Sequence, residues 1–174
     1  YRIAKRCERR FFATADAVVT LTKASVPTIR QLAGRPELTI TVIPTCVDLD
    51  RFDLTEPRAG DPFVTWCGSV GTWYRFDLVP PLVEAIGLPL QVLTRQAEEV
   101  SRILDGLPAT IRSLPPELVP AALRTGDVGL SLCVSSASKV ASAPTRFAEY
   151  LAAGMPVVAS QGFGDVATIR GERL

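Results

Sequence analysis

Short apolar runs alternate with longer amphipathic stretches along most of this chain, and that alternation predicts its elements before any residue is assigned a role. "YRIAKRCERRFFAT" places Ile3, Cys7 and Phe11 at i, i+4 and i+8, one face of a helix over about 2–13. "ADAVVTLT" (15–22) is a short buried-strand run around Val18, Val19 and Leu21. A helix follows, with Ser25 placed to cap it, Pro27 in its first turn and Gly34 near its end. "LTITVIP" (38–44) is β-branched and closed by proline, hence a second strand.

Residues 48–62, "DLDRFDLTEPRAGDP", are acidic, contain proline and lack periodicity, so they read as a linker between a first domain (1–47) and a second (63–174). Beyond them the alternation restarts. Strands are predicted at 63–67, 90–94, 109–114, 128–133 and 156–160, and helices at about 76–86, 96–105, 116–126 and 144–153. This order specifies an α/β fold, a Rossmann-like parallel sheet with helices on both faces, which takes ligands beyond the carboxyl ends of its strands. The chain opens on a helix with no strand before it. It also stops about one strand and one helix short of a full domain, so a fragment is expected.

Composition narrows the chemistry. Of 174 residues, 47% are hydrophobic and 21% charged, which suits a packed globular chain and not a disordered one. A net charge of +1 gives no reason to expect nucleic acid as a partner. The basic excess lies at the start, where residues 2–10 hold five Lys/Arg and one acid. Such a helix rests on an anionic membrane surface or packs its apolar stripe on a neighbour, and the second is the commoner arrangement. The four cysteines form no CxxC pair, which points to a reducing, cytoplasmic setting without disulfides or zinc. The chain has no histidine, so no imidazole base, serine triad or histidine metal ligand can be completed within it.

Two stretches carry candidate chemistry. In "CGSVGTWY" (67–74), Gly68 and Gly71 let backbone N–H groups approach a phosphate, and Ser69 and Thr72 offer hydroxyls. The same glycines would equally serve a plain strand-to-helix turn, and Trp73 and Tyr74 either stack on a base or cover the sheet edge. In "APTRFAEYLAAGMPVVAS" (143–160), Pro144 starts a helix whose first N–H groups, on Thr145, Arg146 and Phe147, face the mouth of the sheet. Arg146 and Lys139 would add positive charge to that anion site. Glu149 repels phosphate but accepts two hydrogen bonds, so a ribose diol suits it; a surface ion pair with Arg146 at i, i+3 is the structural alternative.

The stretch "PTRFAEYLAAGMPVVAS" resembles the sugar-donor signature of retaining GT-B glycosyltransferases of glycosyltransferase family 4, P-[ST]-[KR]-x-x-E-Y-[LM]-A-x-G-x-P-V-[VI]-A. "ADAVVTLT" followed by "ITVIPTCVDLDRF" is similar to the end of that family's amino-terminal domain, and "CGSVGTWY" to the first glycine turn of its carboxyl-terminal domain. The resemblance implies that 1–47 is the tail of the acceptor-side domain and 63–174 the domain that binds a nucleoside-diphosphate sugar. It implies a hexosyltransferase in which Glu149 holds the ribose, the helix start holds the diphosphate or sugar, no metal is required, and most catalytic groups lie before Tyr1.

Three positions depart from the pattern. Ala141 stands where the family has a glutamate to the sugar, Ser69 and Tyr74 fall where it has the arginine and lysine that clamp the pyrophosphate, and "PTCVD" replaces "PNGVD". Arg75, Arg146 or Lys139 would have to replace the clamp. Base selectivity is expected around residues 112–114, with no residue there that decides it. An epimerase of the same architecture and a Rossmann-like binding module without catalysis are the alternatives; the lack of histidine counts against the first, and the Glu149 helix against the second.

Overall fold

The computed structural model describes residues 2–52 and 60–166. In chain order its elements are α1 (Arg2–Thr14), β1 (Ala17–Thr20), α2 (Val26–Ala33), β2 (Thr39–Val42), β3 (Val64–Cys67), α3 (Val79–Ile86) and β4 (Leu90–Leu93). They continue with α4 (Ala97–Ile103), β5 (Ala109–Arg112), α5 (Val119–Arg124), β6 (Val128–Ser131), α6 (Ala137–Val140), α7 (Thr145–Ala152) and β7 (Val157–Ala159). They group into two compact units. One contains 2–45 together with 135–143 and 161–166; the other contains the described residues of 46–134 and 144–160.

In the first unit β1 and β2 pair in parallel, with Val18 opposite Ile40. Val18, Ile29, Ala33 and Leu38 form its buried cluster, with Phe12 packed against it. That corrects the reading of α1. The residue that packs is Phe12, whereas Ile3 is 79% exposed and Phe11 64% exposed, so the Ile3–Cys7–Phe11 stripe is not an inward face here. A second correction concerns the cap of α2. Ser25 makes no side-chain cap; Thr22 does, accepting from the Ser25 N–H at 3.2 Å to start a 3₁₀ turn that leads into the helix. Gly34 ends α2 at φ +65°, as its position predicts.

The loop and tail segments that group with this unit are tied by three side chains. Thr22 Oγ1 donates to the Val140 carbonyl at 2.8 Å, and Thr45 Oγ1 to the Ala143 carbonyl at 2.8 Å. The Asp165 carboxylate accepts from the N–H groups of Lys23 and Ala24, at 2.7 and 2.9 Å.

The second unit is a five-stranded parallel sheet in the order β5-β4-β3-β6-β7. Every residue of β3 and β4 is buried, Thr65 and Gln91 included, which is why these central strands read as short, mostly apolar runs rather than as half-exposed ones. The alternation is still present between the two faces. Val64 and Trp66 join α3 and α4 in one core, while Cys67 joins α5 and α7 in the other. Strand order turns back at β3, between β4 on one side and β6 on the other. Such a reversal leaves a crevice beyond the carboxyl ends of the strands.

Candidate functional site

That crevice is lined by the turn after β3. Gly68 lies at φ +144°, where a side chain is strained, so glycine is required by the backbone. Gly71 has no such requirement, and a Cβ there would meet nothing within 4 Å. Bonds that fix the turn include Gly68 N–H to the Leu93 carbonyl at 2.9 Å, Val70 N–H to Gln96 Oε1 at 3.0 Å, Tyr74 N–H to the Gly71 carbonyl at 2.9 Å and Val134 N–H to the Trp73 carbonyl at 3.1 Å. Gln96 therefore binds the end of β4 to the turn after β3.

The opposite wall is the start of α7. Pro144 is extended (ψ 119°) and precedes the helix as its cap. Its carbonyl takes the N–H of Phe147 at 3.1 Å, so the Phe147 amide is not open to a ligand, and its ring is buried with Tyr150. The N–H groups of Thr145 and Arg146 have no acceptor among the described residues. Farther along the helix, the wholly buried Tyr150 reaches across the sheet. Its hydroxyl accepts from the Cys67 N–H at 2.7 Å and donates to the Leu130 carbonyl at 3.3 Å. Strand pairing between β3 and β6 runs only from Val64 to Trp66, so this hydroxyl stands between the strands where their ladder stops.

Two cavities open beside the turn. One, about 290 Å³, is lined by Cys67–Ser69, by Leu93–Gln96 at the end of β4, by Leu114, Pro116 and Val119, and by Arg51, Arg146 and Glu149. The other, about 340 Å³, is lined by Trp66–Ser69, Tyr74, Leu130–Cys133 and Pro144–Arg146. They share Gly68, Ser69 and Arg146. Trp66 Nε1, which is buried, has no hydrogen-bond partner among the described residues.

Charge is partly neutralised before any ligand arrives. Arg146 is ion-paired with Glu149, whose side chain is 18% exposed. Arg75 grips Asp77 through Nε at 2.9 Å and a terminal nitrogen at 2.8 Å, which holds the Asp77 carboxyl below its usual range. Burial pushes the Cys67 thiol up to about 11, so at neutral pH it is protonated and not a thiolate nucleophile.

The structure thus brings Gly68, Ser69, Thr145, Arg146 and Glu149 to one crevice. Gly71 and Phe147 line neither cavity, and Lys139 lies on α6 among residues of the first unit. Tyr74 lines the second cavity, edge-on to Trp66, whereas Trp73 lines neither. Of residues 112–114, Leu114 lines the first cavity. Sequence reasoning missed Arg51, Thr94, Arg95, Gln96 and Pro116. The signal for Thr94–Gln96 was present, since they follow a central parallel strand at its carboxyl end; Arg51 was hidden in the segment read as linker. Among the described residues no group of three or more His, Cys, Asp or Glu could hold a metal ion, and no helix is long and apolar enough to cross a membrane.

No family profile matches the sequence, and no curated protein matches it. Solved structures do. AviGT4, a glycosyltransferase involved in avilamycin A biosynthesis, is 18% identical with a TM-score of 0.65, over 95% of this chain and 61% of its own. A glycosyltransferase from Rickettsia africae ESF-5 is 15% identical with a TM-score of 0.67, over 94% of this chain and 50% of its own. The fold is therefore that of these glycosyltransferases, and the chain spans between a half and two thirds of their length.

Proposed function

We propose that this chain supplies the sugar-donor site of a glycosyltransferase that moves a sugar from a nucleoside diphosphate to an acceptor. The observation that carries this reading is the convergence of Glu149, the open amides of Thr145 and Arg146, and the Gly68–Ser69 turn on one crevice at the reversal of the sheet. Glu149 accepts the two ribose hydroxyls, which requires Arg146 to release or share its carboxylate. The diphosphate lies at the helix start, where amides and the helix dipole favour negative charge.

Transfer breaks the bond between the anomeric carbon and the diphosphate oxygen and makes one to an acceptor oxygen. Stabilising the departing diphosphate through amides and arginines is how such a site lowers the barrier, with no metal required. Retention of configuration follows the family resemblance, which also places most acid–base groups and the acceptor site outside these 174 residues. A second reading, nucleotide binding without transfer, draws on Ala141 and on the uncharged turn from Gly68 to Tyr74.

Thermal unfolding with UDP, GDP and ADP, in EDTA, tests the binding. A ligand at about 100 times its dissociation constant adds about 2.7 kcal/mol of stability. Stabilisation by one of the three supports the reading, and none by any of them refutes it. Release of free sugar from the matching nucleotide sugar, or its transfer, by the full-length protein separates the enzyme from the binding module, this chain alone being expected to be inactive.

A further inference from the structure

The turn after β3 brings no cation to the crevice, since residues 68–74 are uncharged. Arg75, next in the chain, is closed on Asp77, and Arg146 is closed on Glu149. The first cavity is nevertheless cationic. Among the described residues, Arg51, Arg95 and Arg146 line it together with one carboxylate, that of Glu149. Arg51 donates to the Pro116 carbonyl at 2.6 Å, which anchors its guanidinium. Arg95 is the arginine of the three with no hydrogen bond or ion pair among the described residues.

Its position is nonetheless fixed. The neighbour before it, Thr94, donates its N–H to the Arg112 carbonyl at 2.9 Å, and the neighbour after it, Gln96, accepts from Val70 N–H at 3.0 Å. The backbone before Arg95 is thereby held against β5, the Gln96 N–H donates back to Thr94 Oγ1 at 3.1 Å across Arg95, and the Gln96 side chain ties this turn to the glycine turn. An uncommitted guanidinium on a pinned backbone, in a cavity with two more arginines, suits a ligand carrying more than one negative charge.

We propose that Arg95, supported by Arg51, binds the diphosphate of the sugar donor and replaces the basic side chains that the turn after β3 lacks. The inference rests on the sugar-donor reading and adds to it the residue that carries the phosphate charge. Glu149 then recognises the ribose from α7, and Arg95 the phosphates from the end of β4.

The test is calorimetric titration of the 174-residue chain with whichever of UDP, GDP and ADP binds it, at several salt concentrations, for wild type, Arg95→Gln and Arg95→Lys. The exposed Arg95 side chain leaves the melting temperature unchanged on substitution. Arg95→Gln should weaken binding by about tenfold or more and flatten its dependence on ionic strength, while Arg95→Lys recovers most of both. Wild-type affinity in Arg95→Gln, or a loss that leaves the salt dependence unaltered, overturns this inference alone. If wild type binds none of the three nucleotides, the sugar-donor reading falls and this inference with it.

Discussion

The Tyr150 hydroxyl accepts the backbone N–H of Cys67 at 2.7 Å, inside the sheet and beyond the last β3–β6 pair. By donating also to Leu130 it satisfies both strands while keeping them from closing on each other. Tyr150→Phe leaves the Cys67 N–H buried without a partner. Urea unfolding should show a loss of about 1–3 kcal/mol at an unchanged m-value.

The ring of that tyrosine lies on Gly129. A Cβ at 129 would come within 2.6 Å of it, closer than packed atoms tolerate. Gly129→Ala should therefore destabilise the chain by about 1–3 kcal/mol through overpacking, and should cost less in a Tyr150→Leu background than in wild type, where the ring is present. Equal stability of Gly129→Ala and wild type would contradict this packing.

Burial raises the Cys67 thiol from its ordinary 9.0 to about 11, and it raises the Tyr150 phenol in the same direction. Both groups hold their protons more tightly folded than unfolded. Their contribution to stability is thus complete below pH 9 and is lost as pH rises through the folded value of the thiol, with the phenol adding above its ordinary 10.0. For Cys67 the displacement corresponds to about 3 kcal/mol. Denaturant midpoints measured from pH 8 to 11 should fall in wild type and fall less steeply in Cys67→Ala.

Arg75 is engaged by Asp77 and lines neither cavity. Arg75→Ala should leave nucleotide affinity unchanged in the same titrations in which Arg95→Gln weakens it. A comparable loss in Arg75→Ala would return the phosphate clamp to the turn after β3.

How much of this was legible depended on whether a feature is local. The helix at 145–152 was readable because Pro144 fixes its start and Gly154, at φ +70°, its end, and both act within one turn of the chain. The parallel sheet was readable because β3 and β4 are buried on both faces, so that each is mostly apolar, with Thr65 and Gln91 the polar residues they bury. Thr22 and Ser25 are both acceptable caps in sequence, and only the 3₁₀ turn between them decides for Thr22. The roles of Tyr150 and Arg95 were not legible, because each depends on which strand end lies beside which. The pairing of Glu149 with Arg146 was foreseen from i, i+3 spacing as the alternative to ribose binding. The structure pairs Glu149 with Arg146 in the crevice, so a ribose held by Glu149 would have to displace or share that pair.

The most direct measurement compares a nucleoside diphosphate with its 2′,3′-dideoxy analogue on wild type and on Glu149→Ala. If Glu149 takes the ribose diol, removing the diol weakens binding to wild type by about tenfold and has no further effect on Glu149→Ala. If the dideoxy analogue loses the same factor on both proteins, Glu149 does not hold the ribose and the sugar-donor site is not built as proposed.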